Sequence, residues 1–224
     1  MGVRQDKSRV YGLLARIGKA VGNPHRLEIL DLLAQGERTV EAIAGAVALP
    51  VANASHHLQV LRAAGLVGTR RQGTFIHYRT AGEDTGELVR RVRDLAQRRL
   101  DGLERLTRNL FQKLDAAEPV DRANLLARMR SGEVLALDVR PAQEYATGHI
   151  AGAISVPLEE LERRMAELPK GKAIVAYCRG PYCVLAPEAV RKLRAQGRVA
   201  WRLAGGFPEW RADGLPVATG AEAA

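Results

Sequence analysis

The chain has 224 residues and a formal net charge of +9, which is length enough for two domains that each bury a core. So large a basic excess favours polyanions, either nucleic acid or an anionic membrane surface, without choosing between them. No run of about 20 apolar residues occurs, which excludes a membrane-spanning helix, and only two cysteines, Cys178 and Cys183, exclude the stapled framework of a small secreted domain.

The opening MGVRQDKSRV lacks the apolar core of a signal peptide, so a cytoplasmic location is expected. The first predicted helix carries Val10, Leu13, Leu14, Ile17 and Val21 on one stripe and ends at Gly22. Asn23 reads as the cap and Pro24 as the first residue of a second helix, filled by Leu27, Ile29, Leu30, Leu32 and Leu33 and ended by Gly36. Thr39 caps a short third helix with Glu41 in its first turn, whose buried side is expected to be Ala42, Ile43, Ala46 and Val47. Ala48-Leu49-Pro50 leads into a fourth helix, Ala52 to Ala64, with Leu58 and Leu61 inward. Two short helices joined this way make a helix-turn-helix. Leu66 to Arg71 and Thr74 to Arg79 then alternate as two strands around Gln72-Gly73, a wing with arginines near its tip. One long helix follows from 83 to about 115, with Leu88, Val92, Leu95, Leu100, Leu103, Leu106, Leu110 and Leu114 forming a stripe that needs a partner surface. Residues 115–119 close it as a linker, because Pro119 cannot propagate a helix. Beyond it, short apolar runs alternate with helical stretches, which indicates an α/β domain. A frayed tail is expected at 219–224.

The stretch from Gly22 to Arg79, and SHHLQVLRAAGLV with the wing above all, resembles the winged helix-turn-helix of the ArsR/SmtB family of transcriptional regulators. That resemblance implies a homodimer on an inverted-repeat operator in double-stranded DNA, with the helix at 83–115 supplying much of the dimer contact. The N-terminal part of the fourth helix then enters the major groove, making Asn53, Ser55, His56 and Gln59 the base-contact candidates. His57 reads either as a weaker contact or as a packed residue. Arg70 and Arg71 suit phosphate or minor-groove contact, or form a solvated tip. Val51-Ala52 stand where the family often has a polar pair, so no operator sequence carries over. The helix TVEAIAGAV has no thiol and the dimer helix no histidine, so none of the family's transition-metal sites is expected and no metal or cofactor is assigned.

LALDVRPAQEYATGHIAGAISVP, AIVAYCRGPYC and RLAGGFPEWRADGLP, in that order, resemble a single rhodanese domain. In that family the reactive thiolate sits where a strand ends and a loop curls around it into a helix, so that backbone N–H groups point at the sulfur. The resemblance puts Cys178 in that position, with Arg179, Gly180, Pro181, Tyr182 and Cys183 as the cradle. A helix N-terminus and Arg179 should lower the Cys178 pKa and make it a nucleophile that holds sulfur as a persulfide. Cys183 reads either as a resolving thiol or as a small packed residue. Related cysteine phosphatases close a longer loop with an arginine six positions after the cysteine; here that position is Val184, which disfavours phosphatase and arsenate reductase chemistry. Asp138, Arg140, Glu144 and His149 match the family's framework motif and read as an Asp/Arg/Glu network plus a turn histidine, structural rather than catalytic.

The expected architecture is therefore two domains. A mainly α winged helix-turn-helix with a two-stranded wing and a long dimerisation helix occupies 1–118, and an α/β rhodanese-like domain with a parallel sheet occupies 119–218. Three functions follow: a repressor that senses reactive sulfur through Cys178, with a small sulfur donor or acceptor as ligand; an independent sulfurtransferase tethered to a DNA-binding domain; or an arsenite- or antimonite-responsive repressor using Cys178 and Cys183.

Overall fold

The computed structural model describes residues 2–114 and 117–220. Asp115 and Ala116 of the expected linker, and residues 221–224 of the expected tail, lie outside them. The chain divides into two compact units, Met1–Arg98 and Arg99–Ala224.

In the first unit, α1 (Val3–Val21) is followed by α2 (Pro24–Leu33), whose cap Asn23 accepts the Arg26 N–H at 3.2 Å. A short strand β1 (Arg38–Thr39) leads through the Thr39 cap into α3 (Val40–Ala46), and α4 (Val51–Ala63) completes the helix-turn-helix. Ile29, Leu30, Leu33, Ile43, Leu58 and Leu61 make the core. On α3 the buried residues are Ile43 and Ala44, with Val47 behind them, rather than the expected Ala42 and Ala46, which are exposed. The turn between α3 and α4 explains that phase. The Leu49 N–H reaches back to the Ala44 carbonyl at 2.9 Å and the Ala48 N–H to Gly45 at 3.4 Å, a paired closure that holds Ala48 at φ 51.

The wing pairs β2 (Val67–Gln72) with β3 (Phe75–Thr80), and β1 adds a third antiparallel strand against β3. The turn falls on Gly73-Thr74, one residue later than expected, because Gln72 pairs with Phe75. Gly73 supplies the positive φ, 61°, that the first position of a tight hairpin turn needs. α5 (Glu83–Arg99) closes the unit, tied to α2 by a 2.7 Å pair between Arg93 and Asp31.

The single helix expected from 83 to about 115 is instead two. Leu100 adopts an extended conformation (φ −114, ψ 93) before α6 (Asp101–Gln112) begins. The leucine spacing slips there, from Leu95 to Leu100, and Gly102 follows in the first turn. α6 belongs to the second unit, where its buried Phe111 ring lies 4.4 Å under the Arg202 guanidinium.

The rest of the second unit runs α7 (Arg122–Arg130), β4 (Val134–Asp138), α8 (Ala142–Thr147), β5 (His149–Ile150), β6 (Ile154–Ser155), α9 (Leu161–Arg164), β7 (Ala173–Tyr177), α10 (Leu185–Ala195), β8 (Ala200–Arg202), α11 (Phe207–Ala212) and β9 (Val217–Ala218). Strands β6-β4-β7-β8 form a parallel sheet in that order, while β5 and β9 pair antiparallel beside it. Alternate residues of β7 serve two cores. Ile174 and Ala176 pack with Val190 and Leu193 of α10, whereas Val175 and Tyr177 pack with Leu125 of α7 and Trp210 of α11. This cover on both faces leaves the carboxyl end of β7 as the place where the chain leaves the core, at Cys178.

Ala48 is the one described non-glycine residue with positive φ. Relief of its Cβ strain should make Ala48→Gly stabilise the first unit by about 1 kcal/mol, read as a higher urea midpoint at unchanged slope.

Candidate functional site

Cys178 is 1% exposed at the end of β7, and both cysteines are free thiols. From there the chain turns tightly, with the Cys183 N–H donating to the Gly180 carbonyl at 3.1 Å, and enters α10 at Leu185. The loop is held from behind by the Gly205-Gly206 segment. The Phe207 N–H donates to the Cys178 carbonyl at 3.0 Å, and a Cβ on Gly206 would lie 2.4 Å from the Gly180 nitrogen and 2.5 Å from the Cys178 oxygen. Only glycine fits.

Backbone amides do converge on sulfur, but on two sulfurs. Those of Gly180 and Ala186 reach Cys178, and those of Arg179 and Leu185 reach Cys183. The first turn of α10 thus gives one N–H to each. The Cys178 thiol donates to the Cys183 carbonyl at 3.6 Å and lies beside the Cys183 sulfur. The lowering expected on Cys178 falls on its neighbour instead. Burial pushes the Cys178 thiol well above the usual range, and its hydrogen bond to Cys183 adds to the rise. Cys183 is lowered to about 7, first by the hydrogen bond from Cys178 and then, against burial, by the two amides and the Arg179 charge. The two thiols titrate as a pair that holds one readily lost proton.

Asp138 and Arg140, both fully buried, make a two-armed pair (Nη2–Oδ2 2.6 Å, Nε–Oδ1 3.0 Å), and Arg140 also donates to the Gly148 carbonyl at 2.7 Å. Its guanidinium lies 4.6 Å from the Phe207 ring. His149 bonds the Tyr145 carbonyl through Nδ1 at 2.8 Å and stacks on the Tyr145 ring at 3.6 Å. Glu144, buried on α8, bears on the charge of Arg140 and also grips Arg179 of the cysteine loop (Nη2–Oε1 2.7 Å, Nε–Oε1 3.0 Å), so it positions the loop as well. Glu209 of α11 also approaches, its carboxylate oxygens within 4 Å of where a Gly180 Cβ would stand. Neither contact was visible as local pattern; the signals were a charged residue directly after Cys178 and the Gly205-Gly206 doublet. Pro181 and Tyr182 are half-buried on the same loop. Among the described residues, no group of three or more His, Cys, Asp or Glu side chains is placed to hold a metal ion.

In the first unit, Ala54, Leu58 and Leu61 hold α4 to the core and turn Asn53, His56 and Gln59 outward, with Ser55 half-buried at the edge of that face. His57 is packed: its ring lies 5.6 Å from His25 and 6.1 Å from His56, and its Nδ1 is buried without a hydrogen bond. Burial and the neighbouring Arg26, His25 and His56 lower its pKa, which favours its neutral form. Arg70 and Arg71 are exposed on the wing but engaged. Arg70 forms a two-armed pair with Glu37 and bonds Gln72 at 3.1 Å, and Arg71 donates to the Gly73 carbonyl at 3.1 Å.

Residues 121–213 match the rhodanese-like domain family, and residues 23–69 match the arsR family of bacterial regulatory proteins. The chain is 48% identical over 220 residues to the HTH-type transcriptional regulator Rv0324 of Mycobacterium tuberculosis, covering 98% of this chain and 96% of that protein. A sulfurtransferase of Allochromatium vinosum is 34% identical over 99 residues, 44% of this chain and 92% of its own. The solution structure of the homodimeric winged helix-turn-helix DNA-binding domain of Mb0332 from Mycobacterium bovis is 47% identical, covers 46% of this chain and 93% of that one, and has a TM-score of 0.42. No helix among the described residues is long and apolar enough to cross a membrane.

Thiolate absorbance followed with rising pH should report one thiol per chain with a midpoint at about 7. Cys183→Ser should remove that step, and Arg179→Gln should move it upward, since a nearby positive charge favours the thiolate.

Proposed function

The chain belongs to the arsR family of bacterial regulatory proteins, with a rhodanese-like domain joined to its DNA-binding helix-turn-helix, and from that premise we propose a homodimeric repressor that senses reactive sulfur species. The observation that carries this reading is the paired site: two free thiols stand on one loop, each with backbone amides directed at it. Persulfidation of Cys178, or its cross-linking to Cys183, replaces a shared proton by sulfur at the point where β7 passes into α10. The ligand is a small sulfane donor, and the reaction takes place in the cytoplasm.

On the DNA side, Asn53, Ser55, His56 and Gln59 face an inverted-repeat operator in the major groove, and Arg70 and Arg71 reach the flanking backbone. Dimerisation through α1 and α5 suits Leu13, Leu14 and Leu95, which are 61%, 62% and 53% exposed within one chain. Modification regulates only if it stabilises the DNA-incompetent arrangement; a coupling of about 1 to 3 kcal/mol changes affinity by about 5 to 150-fold. A second reading, an independent sulfurtransferase tethered to a DNA-binding unit, is favoured by the likeness to the Allochromatium protein.

Using a duplex selected from random DNA by the reduced protein, polysulfide at fixed salt should weaken binding of the wild type by about 5 to 150-fold and leave Cys178→Ser on the DNA. Sulfur uptake with unchanged affinity and rapid turnover would establish the sulfurtransferase reading instead.

A further inference from the structure

The wing ends in apolar side chains that lie outside the core. Opposed residues of an antiparallel ribbon share a face. Phe75 with Gln72, and His77 with Arg70, therefore make one face of the wing, while Ile76 with Arg71, and Tyr78 with Thr69, make the other. Tyr78 packs against the core of the first unit. Phe75 and Ile76 stand nearer the turn, outside that cluster, and are 62% and 50% exposed. A solvated strand end would hold polar residues there, as Gln72 and Thr74 beside them are. The charge around this tip is of one sign. Residues 66–80 include Arg70, Arg71 and Arg79 and no carboxylate. Arg71 folds toward the turn and donates to the Gly73 carbonyl at 3.1 Å, which puts its guanidinium at the tip, while Arg70 stands further back in its pair with Glu37.

An apolar end set among arginines fits a surface with anionic walls and an apolar floor. The minor groove of duplex DNA is one: phosphates line both walls, its width of about 6 Å admits side chains rather than a helix, and the base steps at its floor accept apolar wedges such as Phe and Ile. The wing also follows the recognition helix α4 through residues 64–66, in a unit of the arsR family of regulators. We propose that Phe75 is a wedge that enters the minor groove beside each half-site and unstacks a base step there, with Ile76 against the sugars of one wall and Arg71 on its phosphates. This rests on the reading that α4 and the wing bind an inverted-repeat operator. It adds a choice among sequences at a place where no base is hydrogen-bonded. Pyrimidine–purine steps unstack easily and admit a wedge at least cost, whereas stiff A-tracts resist it.

The test uses the reduced full-length chain and the duplex it selects from random DNA. A fluorescent adenine analogue, placed in turn at each position flanking the half-sites, brightens where a base is unstacked. The wild type should brighten one symmetric pair of positions, and Phe75→Ala should leave them dark. That step is then rebuilt either as TA or as part of an A-tract. The wild type should prefer the TA duplex by at least about fivefold, and Phe75→Ala should bind the two within about twofold of each other. Because this ratio compares two duplexes on one protein, a general loss of affinity or of folded protein does not imitate it. Arg71→Gln should weaken both duplexes alike and keep the preference, as loss of a phosphate contact does. Brightening that persists in Phe75→Ala, a wild-type ratio near one, or no brightened flank would overturn the wedge while leaving operator binding through α4 intact. A chain that selects no duplex would remove both readings. If Phe75→Ala instead changes the oligomeric state, or loses binding to vesicles of anionic phospholipid, with the duplex ratio unchanged, the tip belongs to that partner and the proposal is wrong.

Discussion

Gly206 passes so close beneath the cysteine loop that the placement of both sulfurs depends on two backbones meeting with no side chain between them. The next residue extends that contact into the frame. Phe207 anchors the Cys178 carbonyl through its N–H, and its ring lies against the Arg140 guanidinium and beside Gly148, where a Cβ would stand 3.0 Å from the ring edge. Arg140 is bound to Asp138 at the end of β4, next to Tyr177 at the end of β7. The loop is thus fastened through one continuous set of contacts to the carboxyl ends of the two central strands. A buried pair such as Asp138–Arg140 contributes little net stability, but removal of either partner strands a charge in the core, so the position is intolerant of change.

The charge arrangement around the sulfurs follows from the same economy of space. Glu144 compensates Arg179, which lets a guanidinium stand partly buried beside the thiols without an unpaired positive charge. Its field still reaches Cys183, while the hydrogen bond from Cys178 does more to lower that thiol than the arginine does. A single-thiol cradle would direct every amide at one sulfur. Here the amides are divided, and the chemistry available to the loop is that of a pair.

Local chemistry was the legible part of this sequence. Asn23 and Thr39 cap the helices that their positions suggest, and the apolar runs of the second half become the parallel strands β4 and β7. What sequence reasoning missed depends on residues far apart in the chain. Glu144 and Arg179 are 35 positions apart, and nothing near either one announces the other. The sharing of the loop's amides between two sulfurs was equally hidden, because α10 begins closer in sequence to Cys183 than to Cys178. The break at Leu100 was hidden by a leucine pattern that looks continuous until its five-residue step is counted.

The pairing of Arg70 with Glu37 bears on how the wing would meet a polyanion. Seen from a distance the two charges cancel, so Arg70 adds almost nothing to the long-range field that draws a basic protein toward DNA. Its guanidinium counts only at contact, where a phosphate would have to take the place of Glu37 with comparable geometry. Attraction is left to the net basic charge of the rest of the chain, and the wing becomes a short-range test of fit: a backbone that presents its phosphate in the right place gains the arginine, and one that does not finds it already occupied.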